Sequence, residues 1–257
     1  MSTTEGSGGT TPRVSNNSTE DLTYDVFVSE PPSHKNGLLP NGEPKGGSPV
    51  ASTLIYGTED ALLTDPAFTT DQANALGDWV ASKDRNLTDI FITHGHGDHW
   101  FAAGMLAERF GARVVATATA IAQMNGNVAT RGLLWDKLYP GLIPPSAVTA
   151  VTVPDDRLTV EGHDLLMVDV GHGDADDNSV LHVPDLGLVV AGDVIYNRVH
   201  MYPRPERDGR FRPLAGGDRQ GRGARAPAYC VRSSGQAARR RRGADDRGDP
   251  AVPGRRG

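Results

Sequence analysis

The sequence predicts an α/β chain built as an αβ/βα four-layer sandwich, two sheets face to face with helices outside. Short runs of β-branched and apolar residues fall into an early and a late group, with helix-period segments between them. A cluster of histidines stands at a strand-to-helix junction, a place where loops commonly carry function.

The elements follow in chain order. Leu22 to Ser29 alternates apolar and polar residues and reads as a first strand. Pro31 to Ser48, rich in Pro and Gly, reads as a loop. Val50 to Tyr56 and Ala61 to Thr64 form a hairpin across Gly57-Thr58-Glu59-Asp60. Thr69 to Ser82 is helical, with Thr70 or Asp71 as its cap and Leu76, Trp79 and Val80 turned to the core. Leu87 to Thr93 is a buried strand, and Trp100 to Phe110 a helix that stops at Gly111. Ala112 to Thr117 gives a strand and Ala118 to about Met124 a helix. Asn125 to Pro145 is less regular and is expected to cover a site. Strands at Val148 to Val153, Arg157 to Val160, Asp164 to Val170, Ser179 to Val183 and Leu188 to Ala191 complete the set.

Residues 94–99 read His94-Gly95-His96-Gly97-Asp98-His99, three of the eight histidines within six positions. Neutral imidazole and carboxylate are the nitrogen and oxygen ligands that zinc and similar ions take. In extended chain, residues i and i+2 project to one side, so His94 and His96 can converge on one ion. Gly95 and Gly97 allow a tight turn, after which Asp98 and His99 point elsewhere and can serve a second ion. A His-rich surface turn is the bland alternative, and the strand-to-helix context weighs against it.

This arrangement resembles the metallo-β-lactamase-fold hydrolases, whose signature is His-x-His-x-Asp-His, over roughly residues 22–202. The resemblance extends to Gly171-His172 after the strand Leu165 to Val170. It extends also to Gly192-Asp193 after Leu188 to Ala191, and to Asp65 in Leu62-Leu63-Thr64-Asp65-Pro66. It implies that His94, His96 and His172 hold one metal, that Asp98 and His99 hold a second, and that Asp193 bridges them. Asp65 would orient the ligands. It implies two zinc ions, with one ion where ligands are missing, and iron or manganese as alternatives. The implied chemistry is metal-assisted hydrolysis of an ester, thioester or lactone-type small molecule in the glyoxalase II-like or lactonase-like branch. Asp98 or Asp193 would accept or relay the proton. A β-lactam substrate is less favoured because the N-terminus lacks a secretory signal. The family's flavodiiron branch has Glu where His96 stands, against a redox role, while a mononuclear iron oxidoreductase of the same fold stays open.

The family adds a further histidine near the C-terminus, whereas the last histidine here is His200. The second metal set is therefore one histidine short. His200, in Tyr196 to Tyr202, is a candidate substrate contact. His163 reads as a surface turn residue, His182 as core or cross-strand paired, and His34 as a loop residue. Asp174, Asp176 and Asp177 read as a solvated acidic loop, with Asp174 a candidate to support the ligands.

Composition breaks near residue 203. Of 26 Lys+Arg and 32 Asp+Glu, residues 203–257 hold 15 and 6, leaving 11 and 26 before them. The net charge is thus −15 before the break and +9 after it. Alone, the second part reads as a disordered basic arm, with Arg239 to Arg242 as a weak polyanion site. A frameshift in a GC-rich gene is the preferred account. With permitted codons, residues 214–236 read one base later can give WRAAIDKVEALEPRHIVSGHQDK, a helix, short strand and Gly-His turn of the family's C-terminal kind. In that case the missing histidine arises across Ser233 and Ser234, and Cys230 is incidental.

The expected organisation is a disordered tail over 1–21, one domain over 22–202 and an aberrant Arg/Gly/Pro-rich tail over 203–257. No stretch has the length of a membrane span, and one cysteine gives no intramolecular disulfide. A cytoplasmic enzyme is the simplest expectation. The acidic main part disfavours nucleic acid, and oligomeric state is open.

Overall fold

The computed structural model describes residues 22–195, except 39, 41, 43, 47, 48 and 174, together with 229–231. β1 (Thr23–Val28) opens the first sheet, and β2 (Ser33–Leu38) pairs with β3 (Pro44–Gly46) as a separate antiparallel ribbon. The expected loop at Pro31 to Ser48 is thus a hairpin. Its backbone ladder needs no apolar alternation, and the turn signal Asn41-Gly42 lies between its strands.

The first sheet has the order β1, β4 (Ala51–Tyr56), β5 (Asp60–Thr64), β6 (Asn86–Phe91), β7 (Arg113–Val115). β1, β4 and β5 pair antiparallel, β4 and β5 through a short turn and β1 and β4 across the segment that holds β2 and β3; β5, β6 and β7 pair parallel. Parallel neighbours require crossovers, here α1 (Thr70–Ala81) and α2 (Ala103–Phe110). The cap of α1 is Thr69, one residue before the expected Thr70 or Asp71. Thr69 Oγ1 accepts from Gln72 N, and Gln72 Oε1 accepts from Thr69 N, a reciprocal capping box. Leu76 and Val80 are buried as expected, with Trp79 half-buried against Phe27.

α3 (Ala118–Thr130) continues well past Met124, so part of the expected irregular segment is helical. α4 (Trp135–Leu138) follows, and Trp135 and Tyr139 pack with Phe68 and Phe101. The expected strand at Val148 to Val153 reduces to one bridge, Val151 opposite Val115. Val148 and Val151 are exposed, while Ala150 and Val153 are buried in the two cores, so the segment packs through alternate residues without a continuous ladder.

The second sheet has the order β12 (Tyr229–Val231), β11 (Leu188–Val190), β10 (Asn178–Val183), β9 (His163–Gly171), β8 (Arg157–Val160). Its pairs are antiparallel except β11 with β12, where Val189 lies opposite Cys230.

Two-residue periodicity splits the core. Leu54, Leu63, Ile90 and Val114 pack on the helices, with Leu76, Val80 and Leu106. Their neighbours Ile55, Leu62, Phe91 and Val115 face Leu165, Met167, Leu181 and Val190 of the second sheet. Each fully buried side chain of this kind contributes about 1.5–3 kcal/mol. The described residues therefore supply the helical layer over the first sheet and the two facing sheets. The outer helical layer expected over the second sheet lies outside them. No helix among the described residues is long and apolar enough to cross a membrane.

Candidate metal centre

β6 delivers the chain to the site fully buried, through Ile92 and Thr93 to His94. The backbone bends at Thr93 and His94, is extended at His96, then turns through Gly97–His99 in a single tight helical turn. That turn brings the His99 ring back over His94, with centroids 4.2 Å apart. His96 Nδ1 lies 3.2 Å from His94 Nε2. From the second sheet, the turn Gly192–Val194 after β11 adds Asp193. One donor atom each from His94, His99 and Asp193 lies within 4.8 Å of the others. Metal–ligand bonds of about 2 Å fit one ion among donors so spaced, and two imidazoles with a carboxylate are a zinc-type set.

The ring orientations agree with that use. His94 Nδ1 lies 3.1 Å from Thr93 Oγ1, which donates to Asp65 Oδ2 at 2.8 Å. Since the Thr93 hydroxyl proton is committed to Asp65, Thr93 Oγ1 accepts from His94 Nδ1–H. His94 Nε2 is then left unprotonated as a ligand atom. His99 Nδ1 lies 3.3 Å from the same carboxylate oxygen, and its Nε2 lies 3.5 Å from Asp193 Oδ1. One buried carboxylate thus serves both rings. Burial opposes a charge on His99, but the nearby Asp193 and Asp65 outweigh it and hold its pKa well above the usual value.

Gly192 is needed where Asp193 enters. Its φ is +50°, and a Cβ there would run into the Thr93 side chain, with Thr93 Cβ at 2.8 Å. The turn can therefore approach β6 only without a side chain.

The metallo-beta-lactamase superfamily model matches residues 46–241, well over half of the chain. The chain belongs to the metallo-β-lactamase superfamily. Membership supports metal-dependent hydrolysis in general. A search of curated proteins finds no match. Solved structures agree on the fold. A metallo-beta-lactamase from Pontibacter korlensis is 15% identical, covering 84% of this chain and 92% of its own, at a TM-score of 0.59. The mono-zinc form of FIM-1 from Pseudomonas aeruginosa is 16% identical, with coverages of 84% and 88%, at 0.57. A metallo-beta-lactamase family protein from Thermus thermophilus is 20% identical, with coverages of 82% and 73%, at 0.53.

Within this superfamily fold, the expected ligands are unevenly gathered. His94, His99 and Asp193 converge, His96 lies beside His94, and Asp65 stands behind them. Asp98 is half-buried in the same turn, where its charge adds to burial in pushing the Tyr139 hydroxyl's pKa up. His172 follows β9 as expected, but its Nδ1 meets Asp176 Oδ1 at 2.6 Å, and it is not among the three clustered donors. His200 and Asp174 lie outside the described residues. His163 is half-buried and pairs with Asp185 at 2.6 Å, so it is not a plain surface residue. His182 lies in β10 between Leu166 and Val189, cross-strand as expected, and His34 falls in β2.

The acidic loop is the main correction. Asp177 is buried rather than solvated, and its Oδ2 accepts from Gly95 N at 2.8 Å. Burial pushes its pKa up, against the pull of the Gly95 N–H and of His94 and His96. Of this loop's two aspartates among the described residues, Asp176 is the exposed one. Thr93, Trp100 and Asn127 also belong to the site, and their residue types alone do not mark them as parts of it. A threonine directly before the first histidine was the one available signal, since its hydroxyl can reach an adjacent ring.

Proposed function

We propose that this chain is a zinc-dependent hydrolase acting on an ester, thioester or lactone-type small molecule. The observation that carries the reading is the convergence of His94, His99 and Asp193, with His96 beside them and both buried rings oriented through Asp65. His94, His96, His99 and Asp193 would hold the metal, with His172 and Asp98 completing a two-ion set. When bound, zinc supplies a water acidic enough to ionise near neutral pH and polarises a carbonyl. Asp65 keeps His94 Nδ1 protonated through Thr93 and places its charge beside His99 Nδ1, so that the Nε2 atoms of both rings would be available to hold the metal. Asp98 or Asp193 takes the water's proton, and Tyr139 borders Asp98 on the aromatic side of the site. The acidic composition of residues 1–202 favours a small-molecule partner over nucleic acid, and a cytoplasmic setting is part of the same proposal.

Metal analysis and turnover test this. Protein purified with zinc should hydrolyse simple esters, thioesters or lactones, and Asp193→Ala should abolish turnover. Iron with oxygen consumption would support an oxidoreductase instead, and a metal-free, inert protein would reject both.

A second reading concerns the C-terminal part. The superfamily match runs on to residue 241, and β12 places Tyr229–Val231 beside β11. In the reading one base later, a short strand falls on these three positions and a Gly-His turn follows. That coincidence of the shifted strand with β12 is what supports a C-terminus altered by a frameshift, with a second metal set lacking its last histidine. The coding DNA tests it: codons that cannot yield the shifted string reject the idea.

A further inference from the structure

Gly95, between the first two histidines, has its peptide groups held on both sides. Its N–H donates to Asp177 Oδ2 at 2.8 Å. Its carbonyl accepts from Trp100 Nε1 at 3.0 Å and from Asn127 Nδ2 at 2.9 Å. A side chain at Gly95 would meet Gln123 Cβ at 2.6 Å and Met124 N at 2.8 Å, so α3 lies directly against this peptide. Ser179, two residues after Asp177, donates from both N and Oγ to Thr93 O, at 2.8 and 2.6 Å. The peptides before and after His94 are therefore both bound by residues 177–179. These residues follow His172 in a loop closed by Gly173 N and Asn178 Nδ2 on Ala175 O.

We propose that Asp177 is a positioning residue for the metal centre: by holding the Gly95 peptide it fixes the spacing of His94 and His96 and locks the His172 loop onto them. This rests on the reading of those histidines as metal ligands. A buried carboxylate is costly unless its hydrogen bonds have a use, and beyond its own backbone this one accepts from the amide between two histidines. The backbone of a glycine has no side chain to pack, so an outside clamp must supply its rigidity. Outer-shell groups of this kind typically change metal affinity about 10–100-fold when removed. Asp177 touches the ligands only through the backbone, so a geometric effect should survive loss of its charge.

The test measures zinc affinity by competition with a chromophoric chelator on the full chain, alongside the visible d–d spectrum with Co²⁺ and the thermal midpoint. Asp177→Ala should weaken zinc binding about ten-fold or more and shift the Co²⁺ bands. Asp177→Asn, whose amide oxygen can still accept from Gly95, should recover most of both. Asn127→Ala, on a half-buried helix face, should weaken binding by a few-fold with the fold intact, and this keeps the test open where Asp177→Ala fails to fold. Equal losses in Asp177→Asn and Asp177→Ala would overturn the clamp in favour of plain charge. So would a lowered midpoint with zinc affinity and Co²⁺ bands unchanged. His94→Ala is the separate control: if it binds zinc as tightly as the parent, the metal-site reading itself fails and takes the clamp with it.

Discussion

Asp65 Oδ2 lies 3.3 Å from His99 Nδ1, on the side of the imidazole away from Asp193. The carboxylate, 1% exposed, receives Thr93 N on its other oxygen at 2.9 Å. The oxygen facing His99 also takes the Thr93 hydroxyl. The same atom therefore sets the tautomer of His94 through Thr93 and stands beside His99 Nδ1 as a charge partner.

Asp65→Asn tests that dependence. Asparagine tolerates the positive φ of +43° at this position, so the backbone survives. If its NH₂ replaces the shared oxygen, Thr93 must accept instead of donate. The Thr93 hydroxyl then donates to His94 Nδ1, and the His94 proton moves to Nε2, where it blocks a ligand atom. Zinc affinity should fall about 10–100-fold with little loss of helix content. Unchanged affinity would show that Asp65 does not orient these rings.

Much of this was legible in the sequence, and the misses share a physical cause. The ligand histidines declare themselves by residue type and by the end of an apolar strand, and Asp193 by its Gly-Asp turn. The two cores follow from alternation in β4, β5 and β6, because neighbouring residues must face opposite layers. Asp177 was not legible as buried, since three aspartates within four positions look solvated. Its long-range bond to Gly95, 82 residues away, gives it a use in the interior. The ribbon β2–β3 and the shortened Val148 to Val153 strand depend on backbone partners that apolar periodicity does not encode.

Gly192→Ala should damage both stability and metal binding. At φ +50° an alanine incurs roughly 1–2 kcal/mol of backbone strain, and its Cβ would collide with Thr93. Gly187 is the matched control, with φ +55° and nothing within 4 Å of an added Cβ. Gly187→Ala should show the backbone cost alone, with zinc affinity unaltered. Gly192→Ala should lose more stability and bind zinc more weakly, because Asp193 is the next residue. Equal effects at the two positions would mean that the approach of this turn to Thr93 is unimportant.

Zinc should stabilise the fold measurably, because its donors come from both sheets' loops. A ligand that binds only the native state adds about 2.7 kcal/mol when present at about 100 times its Kd. For a domain of this size that corresponds to a rise of roughly 5–10 °C in the melting midpoint. Chelation should remove the rise, and His94→Ala should abolish it. A midpoint indifferent to zinc in the parent protein would contradict the metal centre.

Glu161 offers a separate test, in acid. It sits at φ +50° in the two-residue turn between β8 and β9. Its carboxylate accepts from the backbone N–H groups of Thr58, Glu59 and Asp60 and from the Thr58 hydroxyl, at 2.7–3.1 Å. These bonds join the β8–β9 turn of the second sheet to the β4–β5 turn of the first. The Asp60, Glu59 and Thr58 backbone donors hold its pKa down from 4.5 to about 2, against a smaller opposing effect of burial. A depressed carboxylate stabilises the folded state above its unfolded pKa, and that stabilisation is lost as pH falls through the folded value. The melting midpoint of the parent should therefore drop more steeply between pH 4.5 and about 2 than that of Glu161→Gln, which cannot ionise. The group is exposed, so added salt should narrow the gap. Glu161→Asn separates the backbone from the bonds: asparagine suits the positive φ but is too short to span the contacts, so it should still melt below the parent at neutral pH. Superimposable pH profiles for the parent and Glu161→Gln would show that this inter-sheet clasp adds nothing to stability.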